Sequence, residues 1–281
     1  MSQDPASPAV QPALAAKGDV VIRCKGVTKA YDGRPILHGI DLEVRKGETL
    51  VIMGGSGHGK STLLRLLIGA EHPDGGSIQL FGQEITGRRE EELYAIKRRF
   101  GVLFQSGALY NSMTVAENIA LPLREHTNLD EKIIAIMVKI KLELVGLRDF
   151  EHLLPAQLSG GMKKRVGLAR AIALDPEIIF YDEPGAGLDP VVLAVIDELI
   201  TGLGQKLGVA SIVVTHEMQS AFRIADRMVL LYRGNMIAEG TPDQIQNSPD
   251  PVVQQFIHGR AEGPIPHRLS SRDFAEDLLG G

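Results

Sequence analysis

The segment Gly54-Gly-Ser-Gly-His-Gly-Lys-Ser61 constrains this chain more than any other. It fits G-x-x-x-x-G-K-[ST], a glycine-rich turn that opens a helix. Ahead of it, residues 48–53 (ETLVIM) form a short apolar run that reads as a buried strand. Behind it, residues 60–68 place Leu63, Leu64, Leu67 and Ile68 on one side of a helix. Glycines let the backbone curl until successive N–H groups point inward at phosphate oxygens. The helix start adds its positive dipole end. Lys60 is placed to reach β- and γ-phosphates, and the Ser61 hydroxyl to ligate Mg2+. Gly54, Gly55, Ser56, Gly57, His58, Gly59, Lys60, Ser61 and Thr62 are therefore the candidate nucleotide contacts. The His58 side chain carries no assigned role and is expected to lie in solvent.

The rest of the chain repeats the strand–helix alternation. Residues 20–27, 39–44, 77–81 and 100–104 read as strands. From 106 to 155 the pattern is helical. Within it, 130–145 has Asp130 as N-cap, Gly146 as stop, and Ile133, Ile136, Met137, Ile140 and Leu144 at helical spacing. That stripe is expected to pack on the lobe's own core. Strands over 177–181, 210–214 and 227–232 then alternate with helices over 190–202 and 217–224. Two short helical pieces follow Asp243. Such alternation implies an α/β fold, a mostly parallel sheet covered by helices.

Composition narrows the partners. Of 281 residues, 44% are hydrophobic and 23% charged, which excludes wholesale disorder and a multi-span membrane protein. The net charge of −5 does not suggest a nucleic-acid partner. One cysteine, Cys24, excludes a disulfide framework. No apolar run reaches the roughly 18–20 residues that span a bilayer, and residues 1–16 carry no basic residue. A cytoplasmic protein with a disordered lead is expected, serving any membrane through partners.

A second constellation faces the first. Residues 178–183 (IIFYDE) form an apolar strand ending in two carboxylates. In α/β sheets ligands sit beyond the carboxyl ends of the strands, so Asp182 and Glu183 share the crevice of the phosphate loop. Asp182 is the candidate second contact for Mg2+. Glu183 is the candidate to orient and deprotonate an attacking water. The basic run Lys163, Lys164, Arg165 and Arg170 reads as a solvated helix face.

Leu158-Ser-Gly-Gly-Met-Lys-Lys-Arg165, set between the loop and the acids, resembles the signature of ABC-type ATPases. Other landmarks of that family stand in order: Tyr31 upstream, Gln105 after the strand over 100–104, Gly187-Leu-Asp-Pro190 after the acids, and His216 after the strand over 210–214. The resemblance implies a P-loop NTPase (RecA-like) ABC ATPase core over 19–259, with a helical subdomain at about 106–165. It leaves a lead over 1–18 and a C-terminal extension over 260–281.

It also implies ATP and Mg2+ as ligand and cofactor, with two copies pairing head to tail. In that arrangement Tyr31 stacks on adenine, while Ser159, Gly160 and Gly161 contact the γ-phosphate held by the other copy. Asp189 belongs to the loop between the sites, and His216 bridges the phosphate and Glu183. Gln105 senses the γ-phosphate and the metal, so the implied metal set is Ser61, Gln105 and Asp182, and the implied catalytic set Glu183, His216, Lys60 and Gln105. Met162 stands where the common signature has Gln, which removes one polar contact.

Residues 110–118 and 121–126 look like the helical lobe of ATPases that drive Mla/MCE phospholipid transport, and residues 250–256, 263–266 and 277–280 resemble their C-terminal extension. This implies a membrane permease, a STAS-domain protein and an MCE-domain lipid-binding protein as partners. It implies a peripheral position on the cytoplasmic face of the inner membrane. An ATPase of another importer or exporter, for amino acids or lipoproteins, is the alternative. A DNA-repair ATPase of this type needs long coiled-coil arms, and the stretch from Gln105 to Leu158 is too short for them and lacks heptads. Leu269, Phe274, Leu278 and Leu279 are expected to dock on the second copy or on the STAS protein.

Overall fold

A computed structural model describes residues 18–265. Strands β1 (Val20–Tyr31) and β2 (Arg34–Arg45) form a long antiparallel hairpin, after which β3 (Thr49–Met53) runs into helix α1 (Lys60–Leu67). β4 (Gly75–Leu80) and β5 (Gln83–Glu84) extend the hairpin into a four-stranded sheet ordered β2-β1-β4-β5. Helix α2 (Glu90–Lys97) leads to β6 (Phe100–Leu103), and α3 (Val115–His126), α4 (Glu131–Leu144) and α5 (Gly160–Ala171) build the helical lobe. The chain then runs β7 (Ile178–Asp182), α6 (Pro190–Leu207), β8 (Ala210–Thr215), α7 (Met218–Ile224), β9 (Arg227–Tyr232), β10 (Asn235–Gly240), α8 (Pro242–Gln246) and α9 (Pro251–His258).

The second sheet has order β10-β9-β3-β8-β7-β6. It is parallel except for β10, which folds back on β9. Its five parallel strands are largely apolar on both faces, as a sheet covered on both sides requires, and the two-residue period sorts their residues. Val51, Met53, Ile179, Tyr181 and Val213 face one cluster, shared with α3 to α6. Leu50, Ile52, Ile178, Phe180, Ile212 and Val214 face another, shared with α1 and the four-stranded sheet. The parallel sheet matches the expected alternation. The strands over 20–27, 39–44 and 77–81 were expected, but not their pairing into a separate antiparallel sheet, which distant contacts decide; β5, α2 and β10 were not foreseen, because these short or polar segments carry weak periodicity.

Two expectations are corrected. Most of the α4 stripe does not face a core: Ile133, Ile136, Ile140 and Leu144 are 46%, 55%, 53% and 39% exposed, and only Met137 packs against the core cluster. The buried face is Ile134, Val138 and Leu142, packed in the cluster of α3 and α5. This helix is apolar on two faces, so spacing alone does not say which one packs. Nor does the lobe have its own core, since its buried residues belong to the cluster that continues to the sheet.

The basic run is not a solvated face either. Lys164 is only 5% exposed. Arg170 donates to the carbonyls of Gly107 and Ala108 at 2.9 and 2.8 Å, and Arg165 reaches that of Gly146 at 3.3 Å. Among the described residues no helix is long and apolar enough to cross a membrane. At the C-terminal end, Gln255 on α9 exchanges two hydrogen bonds with the backbone of Ile265. The lead over 1–17 and the apolar positions Leu269, Phe274, Leu278 and Leu279 lie outside the described residues.

Candidate active site

The phosphate loop connects the end of β3 to α1 and is closed on itself. Gly59 is the N-cap of α1 at φ 100°, and a Cβ there would stand 2.6 Å from Leu37 Cδ2, so only glycine fits. The helix start carries no side-chain cap. Its first N–H groups are therefore open to an anion, the requirement of a phosphate site. Lys60 is 8% exposed, and its ammonium donates to the carbonyls of Gly54 and Gly55 at 2.7 and 3.1 Å. Burial lowers its pKa, and the Glu183 and Asp182 carboxylates oppose that shift. Ser61 is exposed at the mouth and Thr62 half-buried beside it.

His58 is not in solvent as expected. It is half-buried, its ring meets Tyr232 edge-on at 5.0 Å, and its Nδ1 accepts the Gly55 N–H at 3.2 Å. Burial pulls its pKa down, and the nearby Lys60 and Arg233 charges add to that pull. The side chain braces the loop from within, a role that its place at a variable motif position does not reveal.

β7 lies beside β8, which lies beside β3, so the ends of all three strands converge. Asp182 and Glu183 occupy this rim. Burial, and next the Glu183 carboxylate, push the Asp182 carboxyl above its ordinary range, while Arg65 and Lys60 draw it back. A divalent cation would relieve that strain, and Asp182 with the Ser61 hydroxyl supplies the oxygen donors a hard cation takes. Glu183 sits in the left-handed region at φ 46°, rare for a residue with a Cβ. Its N–H donates to the Val214 carbonyl at 2.9 Å. Its carboxylate accepts from the His216 backbone N–H at 3.3 Å and pairs with His216 Nδ1 at 2.9 Å. The expected Glu183–His216 pair is therefore formed.

Other expected residues stand apart. The Tyr31 hydroxyl donates to Glu71, and its ring is 37% exposed. Glu71 also takes Arg65 at 3.1 Å, and these contacts, the tyrosine first, hold its carboxyl low. Gln105 is exposed just past β6. Ser159 and Gly160 are exposed at the start of α5, where the Ser159 hydroxyl caps the helix by accepting the Met162 N–H at 3.3 Å. Gly161 is buried against α6: a Cβ there would meet Val192 Cγ1 at 2.4 Å. Asp189 caps α6 through the Val191 and Val192 N–H groups at 3.0 and 3.1 Å. Met162 is half-buried against the core. Among the described residues no hydrogen bond or ion pair joins Ser159, Gly160 or Asp189 to the phosphate loop.

Sequence reasoning missed Lys164. Its ammonium donates to the carbonyls of Glu183, Pro184 and Ala186 at 3.1, 2.7 and 2.8 Å. The available signal was its position on the α5 face that also holds Gly161 and Leu168, both buried.

Comparison with known proteins agrees with this geometry. The ABC transporter family model matches residues 37–186. The intermembrane phospholipid transport system ATP-binding protein MlaF of Haemophilus influenzae is 43% identical over 92% of this chain and 98% of its own. A probable ribonucleotide transport ATP-binding protein of Mycobacterium leprae is 44% identical over 88% of this chain and 71% of its own. Among solved structures, a dimeric ATP-binding cassette in a post-hydrolysis state with ADP and Pi is 30% identical, with a TM-score of 0.73 over 79% of this chain and 98% of that one. The cbiO1 protein from Clostridium perfringens is 27% identical, with a TM-score of 0.76 over 84% of this chain and 94% of that one. An uncapped phosphate loop facing a strained acidic residue, on a chain so similar to these, identifies the protein as a member of the ABC transporter family, an ATP-binding subunit that hydrolyses ATP.

Proposed function

We propose that this subunit powers phospholipid transport between the inner and outer membranes, and so maintains outer-membrane lipid asymmetry. The observation that carries this reading is the 43% identity extending over 98% of a phospholipid transport relative. The ribonucleotide transport relative is as similar, but this chain spans only 71% of it.

In this reading ATP binds with its phosphates against the N–H groups at the start of α1 and its adenine on Tyr31. Lys60 exchanges the carbonyls of Gly54 and Gly55 for β- and γ-phosphate oxygens. Ser61, Asp182 and Gln105 would hold Mg2+, which when bound offsets charge on the phosphates. Glu183 orients a water and takes its proton as the bond to the γ-phosphorus forms and the bond to the β–γ bridging oxygen breaks, giving ADP and phosphate. His216 holds the Glu183 carboxylate in line and contacts the γ-phosphate.

A second copy supplies Ser159, Gly160 and Gly161, whose helix start is exposed in this chain, with Asp189 beside them. The solved dimeric cassette supports that pairing. A permease, a STAS-domain protein and an MCE-domain protein complete the complex at the cytoplasmic face of the inner membrane. Lipid analysis of cells lacking the protein tests the cargo. Phospholipid should accumulate in the outer leaflet of the outer membrane; an unchanged distribution overturns the reading.

A further inference from the structure

We propose that Lys164 is a positioning residue for hydrolysis: from the signature helix it holds the turn after β7 so that the Glu183 carboxylate stays in line for the attacking water. The inference rests on Glu183 acting as the base.

Glu183 combines a positive φ with a carboxylate that must keep one direction. For a residue with a Cβ, that backbone conformation costs about 1–3 kcal/mol and persists only where its surroundings over-determine it. The surroundings are specific. The peptide N–H of Glu183 is tied to Val214 on β8, and its carbonyl accepts from the Ala186 N–H at 3.1 Å. Lys164 supplies the remaining restraint. Its ammonium has three protons and meets three carbonyls within 3.1 Å, on Glu183, Pro184 and Ala186. Every donor is thus used on one turn, and Lys164 forms no ion pair among the described residues. An almost fully buried ammonium is costly unless it is hydrogen-bonded, and here three main-chain oxygens of one turn meet that need. It converges on the one turn that carries the base.

The chemistry is that of a cation in a carbonyl nest. Removing the side chain beyond Cβ leaves a pocket of buried carbonyl oxygens that a small alkylammonium ion can refill. The same helix begins with Ser159 and Gly160, so a shift of α5 reaches Glu183 of its own chain through a single side chain.

The test measures steady-state ATPase of the full-length protein in its complex, well below its melting temperature. Lys164→Met should lower kcat by about 10–100-fold, the scale of a misplaced catalytic group, while KM for ATP stays within about twofold, since the loop and Tyr31 are untouched. Lys164→Ala should show the same loss and recover at least several-fold with ethylammonium but not with tetramethylammonium at equal ionic strength. A Lys164→Met enzyme with normal kcat, a KM that rises in step with the loss, or a Lys164→Ala enzyme indifferent to ethylammonium would overturn the proposal. Glu183→Gln separates the two layers. If that variant turns over quickly, the assignment of the base fails; if it is dead while Lys164→Met is active, only the positioning role fails.

Discussion

The two halves of the nucleotide machinery differ in how finished they are. On the phosphate-loop side several of the key side chains already have partners. Lys60 rests on loop carbonyls, His58 braces Gly55, Glu183 is tied to His216, and Lys164 holds the turn beneath it. On the signature side Ser159 and Gly160 stand exposed and bond only within their own helix start. The first half is organised by its own chain, while the second leaves Ser159 and Gly160 exposed. In the proposed reading a site split this way is completed by a second copy, and hydrolysis is expected to depend on assembly.

The largest effect should come from breaking the finished half. Lys60→Ala removes the charge on the β- and γ-phosphates and should lower kcat by roughly 10³-fold or more in an ATPase assay. Normal turnover would show that the loop does not carry the chemistry. Next comes the unfinished half. Ser159→Arg should cost at least roughly tenfold in turnover while fluorescent-nucleotide binding to a single copy stays unchanged. Wild-type specific activity should also fall on dilution. Activity per copy that is flat with concentration would erase the distinction between the halves.

The α4 faces sharpen a third contrast, in stability rather than rate. Ile134→Ala deletes buried methyl groups and should cost about 2–4 kcal/mol in denaturant unfolding. Ile136→Glu, at an exposed position, should stay within about 0.5 kcal/mol. Equal costs would mean that the outward face is buried after all.

The smallest effect concerns His58. Its folded pKa lies below the ordinary value of 6.5, so the unfolded chain binds the proton more readily. Its contribution to stability is therefore complete above pH 6.5 and is lost as pH falls through the lower folded value. His58→Gln should flatten that part of the acid limb of a melting-temperature profile; an unchanged slope would place the titration elsewhere.

What the sequence made legible was local. The phosphate loop, the acidic strand end and the signature are contiguous strings whose chemistry depends on neighbours in the chain. The parallel sheet followed from runs such as 178–181, which is buried throughout. Features set by distant contacts were not legible. α4 is apolar on two faces, and only docking of α3 and α5 decides which one is covered. Lys164 looks like any surface cation until the turn after β7 is brought against α5. His58 needs Tyr232, far along the chain, to leave solvent. The candidate active residues were therefore easier to name than the residues that hold them.

The apolar cluster that runs from α3 and α4 into the sheet has a consequence for inheritance. Leu123, Ile134 and Leu142 share a core with Leu103, Ile179 and Tyr181. A lobe exchanged between relatives at its chain boundaries would arrive without the residues it evolved to touch. Recombination that preserves folding has to cut along the core rather than along the chain, so the surface this lobe presents to its neighbours should diversify by point changes on exposed helix faces rather than by transfer of the whole lobe.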